Sequence, residues 1–199
     1  MNNFICAATP IRDEAYCLNK YLDLVSSMFD GIVAIIDDRT TDNSDDILNS
    51  YNAHITTVTF VDFAQMGNTL LRLCRELGYK YVFILNPDEY ITKESFDEVV
   101  SFLKNNPMYD MLHIARHNWY DLEMTNEKVE VFPDYQCKVI KLSNDNIHYV
   151  GRVHEVVVNA SKVAVLPHNV CTHHFNLYYY KTGEQNYEEK IKQYNELSQ

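Results

Sequence analysis

The sequence predicts an α/β fold: a central, mostly parallel sheet flanked by helices, with a smaller mixed or antiparallel extension and a C-terminal helix. Three observations predict it. Short apolar, β-branched runs in the first half alternate with stretches of helical periodicity, the pattern of strands buried on both faces. After residue 110 the strand-like runs follow one another without helices between them. Finally, 199 residues with 46% apolar content suit one globular domain with a full core.

In chain order, Phe4 to Thr9 is a short apolar run, and Glu14 to Ser27 carries Ala15, Leu18, Leu22 and Val25 at helical spacing. Ile32 to Ile36 is a β-branched strand that stops at Asp37-Asp38. Thr41 to Asp46 is rich in N-cap residues and leads into a short helix through Ile47 and Leu48. His54 to Val61 reads as a third strand, and Met66 to Leu77 as a helix ended by Gly78. Tyr81 to Leu85 is a fourth strand running into Asn86-Pro87-Asp88-Glu89. Thr92 to Lys104 is a helix with Phe96, Val99, Val100 and Leu103 on one face. Met111 to Ala115, Gln136 to Leu142, Val153 to Val158 and Val163 to Leu166 are the later strands. Gly183 to Gln199 reads as an amphipathic helix with Tyr187, Ile191, Tyr194 and Leu197 on one stripe.

Charge narrows the function. Seventeen Lys and Arg against 28 Asp and Glu give −11, so no basic face is available to track nucleic-acid phosphates. A phosphate-bearing small ligand is better served through a divalent cation. The sequence holds no apolar run of transmembrane length and no basic, apolar leader at Met1 to Pro10. Its five dispersed cysteines form no Cys-x-x-Cys and read as free, buried thiols. A cytoplasmic protein is the expectation.

Ligands of parallel sheets bind beyond the carboxyl ends of the strands. Three such ends carry acid-rich clusters here: Arg12-Asp13-Glu14, Asp37-Asp38 and Asp88-Glu89. Carboxylates on the first two can accept hydrogen bonds from a base or a ribose, and an Asp on the fourth strand can hold Mg²⁺ or Mn²⁺ against phosphates. Each cluster has a plainer alternative. Asp37-Asp38 suits a turn and helix cap, and Asp88-Glu89 suits the start of a helix. No Gly-x-Gly-x-x-Gly and no P-loop is present, and Thr9-Pro10-Ile11-Arg12 is not the Gly-rich, basic loop of a nucleotidyltransferase.

Six segments in order resemble the motifs of family 2 glycosyltransferases of the GT-A (Rossmann-like) fold, in their short bacterial or viral form. They are Thr9-Pro10-Ile11-Arg12-Asp13-Glu14, Ile36 to Ser44, Asp62 to Asn68, Leu85-Asn86-Pro87-Asp88-Glu89, Phe132 to Gln136, and Gly151-Arg152-Val153-His154-Glu155. The resemblance spans roughly residues 4 to 175. It implies one GT-A domain over 1–199, with a nucleotide-sugar-binding half (1–105) and an acceptor-side half (106–199). The implied reaction moves a sugar from a nucleotide diphosphate donor, UDP- or GDP-linked, to a hydroxyl of a glycan, lipid or protein acceptor, with inversion and Mn²⁺ or Mg²⁺.

By the same resemblance, Thr9, Arg12, Glu14, Asp37, Asp38, Asn68, Asn86 and Arg152 serve the nucleotide sugar. Asp88 holds the metal; apart from the resemblance, His173 and His174 follow the last predicted strand, and as neutral imidazoles they suit Mn²⁺ as further ligands. Glu155 is the first candidate for the base that takes the acceptor proton, kept ionised by Arg152, and Asp134 the second. Two positions depart from the family pattern: Asn86 replaces the first Asp of Asp-x-Asp, and Gly67 stands where relatives carry Arg. These departures motivate the alternative of a nucleotide-sugar or carbohydrate-binding module without turnover.

Overall fold

The computed structural model describes residues 3–178, 192 and 195–198. Tyr187, Ile191 and Tyr194 of the expected C-terminal helix lie outside the described residues. The first half follows the expected alternation: β1 (Ile5–Ile11), α1 (Ala15–Met28), β2 (Ile32–Asp37), α2 (Ser44–Ser50), β3 (His54–Val58), α3 (Phe63–Glu76), β4 (Tyr81–Ile84), β5 (Glu89–Ile91) and α4 (Lys93–Asn105). The second half adds β6 (Met111–Asn118), a 3₁₀ turn at Val129–Val131, β7 (Asp134–Lys141), β8 (His148–Val150), β9 (Val156–Val158), β10 (Val163–Val165) and β11 (Cys171–His174).

One nine-stranded sheet joins the two halves in the order β3-β2-β1-β4-β7-β6-β11-β5, with β10 beside β6. Strands β3, β2, β1 and β4 are parallel, and β7 is antiparallel to both β4 and β6. Two reversals restore the direction, so β6 and its parallel neighbour β11 point the same way as β4. The extension is therefore mixed: most of it continues the same sheet, while β8 and β9 pair antiparallel in a separate two-stranded sheet.

Apolar residues on alternate faces of β1 and β2 build two cores. Ile5, Ala7, Ile32 and Ala34 pack under α1 and α4, while Cys6, Ala8, Val33 and Ile35 pack under α3. Helix α3 starts three residues before the predicted Met66, because Asp62 caps it by accepting from the Gln65 N–H at 2.7 Å. Thr92 caps α4 in the same way. All five cysteines are free, and only Cys137 is not fully buried. No described helix is long and apolar enough to cross a membrane.

Beyond the short strand β8 and the 3₁₀ turn at Val129–Val131, two departures bear on the site. Glu89 opens a short strand instead of a helix, and His173-His174 lie inside β11 instead of after the last strand. In both cases the strand exists because β5 and β11 pair with each other, with Glu89 opposite His174 and Tyr90 opposite His173. That tertiary pairing is invisible to local periodicity.

Candidate active site

Topology brings the chemistry to one edge. The carboxyl ends of β1, β2 and β4 lie together, and so do those of β6 and β11 and the start of antiparallel β7. Arg12, Asp37, Asp88, Asn118, Asp134 and His174 therefore come from both halves of the chain to the carboxyl edge of one sheet. The loop 151–155 reaches that edge too, because the carbonyl of Arg152 accepts from the Phe63 N–H at the start of α3 (3.2 Å).

Asp88 sits in a tight turn in which the Glu89 N–H donates to the Asn86 carbonyl at 2.9 Å. The Glu89 carboxylate returns the contact, accepting from the Asn86 N–H at 2.9 Å. Its other oxygen meets Lys138 Nζ at 2.5 Å and Arg116 Nη1 at 3.7 Å. Glu89 is only 3% exposed and Lys138 only 4%. Burial alone would raise the Glu89 carboxyl, but Lys138 and then Arg116 more than offset it, so it is held below the usual glutamate range. Glu89 is thus a staple for the Asn86–Asp88 turn, a role that motif reading did not find.

Asp88 Oδ2 accepts from Asn176 Nδ2 at 2.9 Å and lies 3.4 Å from His174 Nε2. His173, next in the strand, points to the opposite face, as alternate residues of a strand must. There its Nδ1 accepts from Trp119 Nε1 at 3.0 Å, and its ring stacks on His117. Burial, and then His117, push the His173 imidazole down to about 4. The expectation that both histidines join Asp88 fails for this reason; only His174 is beside it. Among the described residues no group of three or more His, Cys, Asp or Glu could hold a metal ion.

Asp37 is almost fully buried and gripped by its neighbour Arg39, with Nε at 2.8 Å and Nη2 at 2.5 Å. Burial works to raise its carboxyl. The hydrogen bonds from Arg39, with help from the charge of Arg12, win and hold it low. The Arg39 guanidinium also lies over the Phe60 ring, 4.7 Å from its centre. Asp38 is exposed and accepts from the Thr59 hydroxyl at 2.6 Å. Thr9 is 0% exposed, and its hydroxyl donates to the Pro10 carbonyl at 3.2 Å, so its side chain faces the core and not a pocket. The Glu14 carboxylate stays with its own helix, 3.7 Å from Cys17 Sγ and within reach of the Tyr16 hydroxyl.

Asn68 is likewise committed. Its amide exchanges two hydrogen bonds with the Tyr149 backbone, at 2.9 and 2.7 Å, and so ties β8 to α3. The same contact explains Gly67. A Cβ there would lie 2.6 Å from Tyr149 Cδ2, so the glycine admits an aromatic ring against the helix.

The two candidate bases differ sharply. Asp134 pairs across the sheet with Arg116, accepting on Oδ2 from Nε at 3.0 Å and Nη2 at 2.7 Å, and on Oδ1 from Gln136 at 2.5 Å. Burial opposes ionisation, but Arg116, Gln136 and Asn118 hold its carboxyl below the usual range. Both oxygens are thus occupied and its basicity is low. Glu155 is half-buried, and burial raises its carboxyl above the usual range against the pull of His154. The expected support from Arg152 is replaced: a backbone hydrogen bond and the neighbouring His154 oppose the effect of burial on Glu155, while the Arg152 side chain is exposed.

No protein-family model matches the chain, and no curated protein matches it. Its fold does match solved structures. The crystal structure of S. aureus TarS 1-349 superposes with a TM-score of 0.62 at 14% identity, covering 86% of this chain and 60% of that one. The mannosyltransferase PcManGT from Pyrobaculum calidifontis, in complex with GDP-Man and Mn²⁺, gives 0.58 at 13%, covering 92% and 64%. A 4-diphosphocytidyl-2C-methyl-D-erythritol synthase gives 0.51 at 10%, covering 70% and 75%. The chain spans under two thirds of the length of the first two. Strand order, parallel core and these neighbours agree: the chain has a GT-A (Rossmann-like) fold.

Proposed function

We propose that the chain is a glycosyltransferase that moves a sugar from a nucleotide diphosphate sugar to an acceptor hydroxyl with inversion. The observation that carries this reading is the convergence of Arg12, Asp37, Asp38, Asn86, Asp88 and His174 on one sheet edge. Neighbours of the same fold were solved with UDP-GlcNAc and with GDP-Man and Mn²⁺, which supports it.

In this reading Asp38, with Arg12 and the Asp37–Arg39 pair beside it, meets the nucleoside. Asp88 and His174 offer one carboxylate and one imidazole to Mn²⁺ or Mg²⁺. Such ions take few protein ligands and fill the rest with phosphate oxygens and water, so two residues fit. A bound divalent cation would neutralise charge on the leaving diphosphate. Glu155 takes the proton from the attacking hydroxyl. Its raised carboxyl makes it the stronger base of the two candidates, and general-base catalysis is worth about 10²- to 10⁴-fold. Asp134, tied to Arg116 and Gln136, positions its neighbours instead.

The test is a thermal-shift screen of UDP- and GDP-sugars with and without Mn²⁺, followed by assay of nucleotide release. A ligand of the folded state raises the melting temperature by mass action. No shift with any nucleotide sugar refutes the reading. A second reading, a binding module without turnover, is favoured by Asn86, whose backbone N–H and carbonyl are both held by Glu89 and whose side chain lacks the acid. Saturable binding without nucleotide release would select it.

A further inference from the structure

Behind Asp88 and its neighbour His174 runs a chain of polar side chains. His174 Nδ1 and Asn118 Oδ1 are 2.7 Å apart, facing each other across the parallel pair of β6 and β11. The Asn118 amide also hydrogen-bonds Asp134, two strands away from β11. Asp134 is in turn fixed by Arg116.

The direction of every bond in this chain follows from its far end. Asp134, ionised beside Arg116, can only accept. Asn118 must therefore present its NH₂ to Asp134, which leaves its oxygen for His174. That oxygen can only accept, so the proton of His174 sits on Nδ1. In the neutral imidazole Nε2 then carries a lone pair, 3.4 Å from the Oδ2 of Asp88, another acceptor. Two acceptors aimed at each other at that separation repel unless a cation or a proton lies between them.

We propose that Asp134 and Asn118 act as positioning residues that lock His174 in its Nδ1–H tautomer, so that the Nε2 lone pair and the Asp88 carboxylate face one divalent cation. This rests on the metal-assisted reading above for its purpose, though not for its geometry. It also gives Asp134 a task that its occupied oxygens suit better than proton abstraction. Ligating histidines are commonly held this way through their second nitrogen, and losing the partner lowers metal affinity about 10- to 100-fold.

The experiment is ¹⁵N NMR of histidine-labelled, metal-free protein at about pH 8, with His174 assigned from the His174→Gln spectrum, together with Mn²⁺ titration by calorimetry. In the wild type the His174 proton should be on Nδ1. In Asn118→Leu it should leave Nδ1, and Mn²⁺ affinity should fall about 10- to 100-fold. The swap of Asn118→Asp with Asp134→Asn keeps the charge count and an acceptor for Nδ1–H, and should restore both. It also decides the matter if Asn118→Leu does not fold. A wild-type His174 protonated on Nε2, an Asn118→Leu spectrum unchanged at His174, or a swap that loses Nδ1–H overturns the proposal. A wild type with the expected tautomer that binds no Mn²⁺ refutes the metal-assisted reading and leaves the lock standing.

Discussion

Lys138→Met cuts the ion pair under the Asp88 turn at its most buried point. The methionine keeps the length and apolar stem of lysine, so little packing is lost. What is lost is, among the described residues, the only cation within 3 Å of a carboxylate whose side chain is 0% exposed. Removing one partner of a buried pair costs about 3–5 kcal/mol. Arg116, 3.7 Å away and 22% exposed, softens this toward the lower figure. At roughly 2–4 °C per kcal/mol for a chain of this size, the melting temperature should drop about 6–20 °C. Glu89 has its carboxyl lowered in the folded state, so the stability it supplies is present above the ordinary glutamate value of about 4.3 and fades as pH falls through the lower folded value. The gap between wild type and variant should thus be widest near pH 7 and narrow in acid. Urea unfolding across that range measures it. Adding Glu89→Gln, which still accepts from the Asn86 N–H, should recover more than half of the loss. A single-variant cost below about 1 kcal/mol, or a double variant no better than the single, refutes the buried-pair argument.

Further tests address the site and its support. Asp88→Ala should abolish the Mn²⁺-dependent part of nucleotide diphosphate binding; unchanged metal-dependent affinity by calorimetry refutes its role. Glu155→Gln should leave donor affinity intact and cut transfer at least about 10²-fold, whereas an Asp134→Asn variant that alone loses turnover would reverse the assignment. Because burial raises the Glu155 carboxyl, the acid limb of the rate profile should lie above the ordinary value of about 4.3, with activity rising as the proton leaves. The same group makes the folded state lose stability as pH rises from the ordinary value through the raised one, and Glu155→Gln should remove that slope. Gly67→Ala should cost about 1–3 kcal/mol in urea unfolding, since its methyl meets the Tyr149 ring at 2.6 Å.

Much of the first half was legible because its strands are buried on both faces and its helices are amphipathic, and both properties are local. The edge clusters were legible for a related reason: polar residues directly after an apolar run mark a strand's carboxyl end. Pairing at a distance was not legible. His173 and His174 look equivalent in sequence, and only the pleat of β11 sends one to Asp88 and the other to Trp119. Glu89 reads as one more acid after a proline until Lys138, from a strand 49 residues later, comes to rest on it. Gly67 reads as a missing arginine until the ring of Tyr149 is seen against it. Arg116 and Asn118 carried no motif signal, since their meaning lies wholly in Asp134 and His174.

The position of β11 between β6 and β5 also sets an order of assembly. The strands β1, β2, β3 and β4 pair through short crossovers, so they can associate early in synthesis. The turn bearing Asp88 is flanked by β4 and β5, and β5 finds its partner only in β11. Asn176 closes on Asp88 across 88 residues of chain. Contacts of such separation form late, after the loop-closure entropy has been overcome. A nascent chain arrested before residue 171 should therefore hold β1 to β4 with their helices and the Glu89–Lys138 pair, and gain the β5–β11 pairing and the contacts of Asp88 with His174 and Asn176 in one late step.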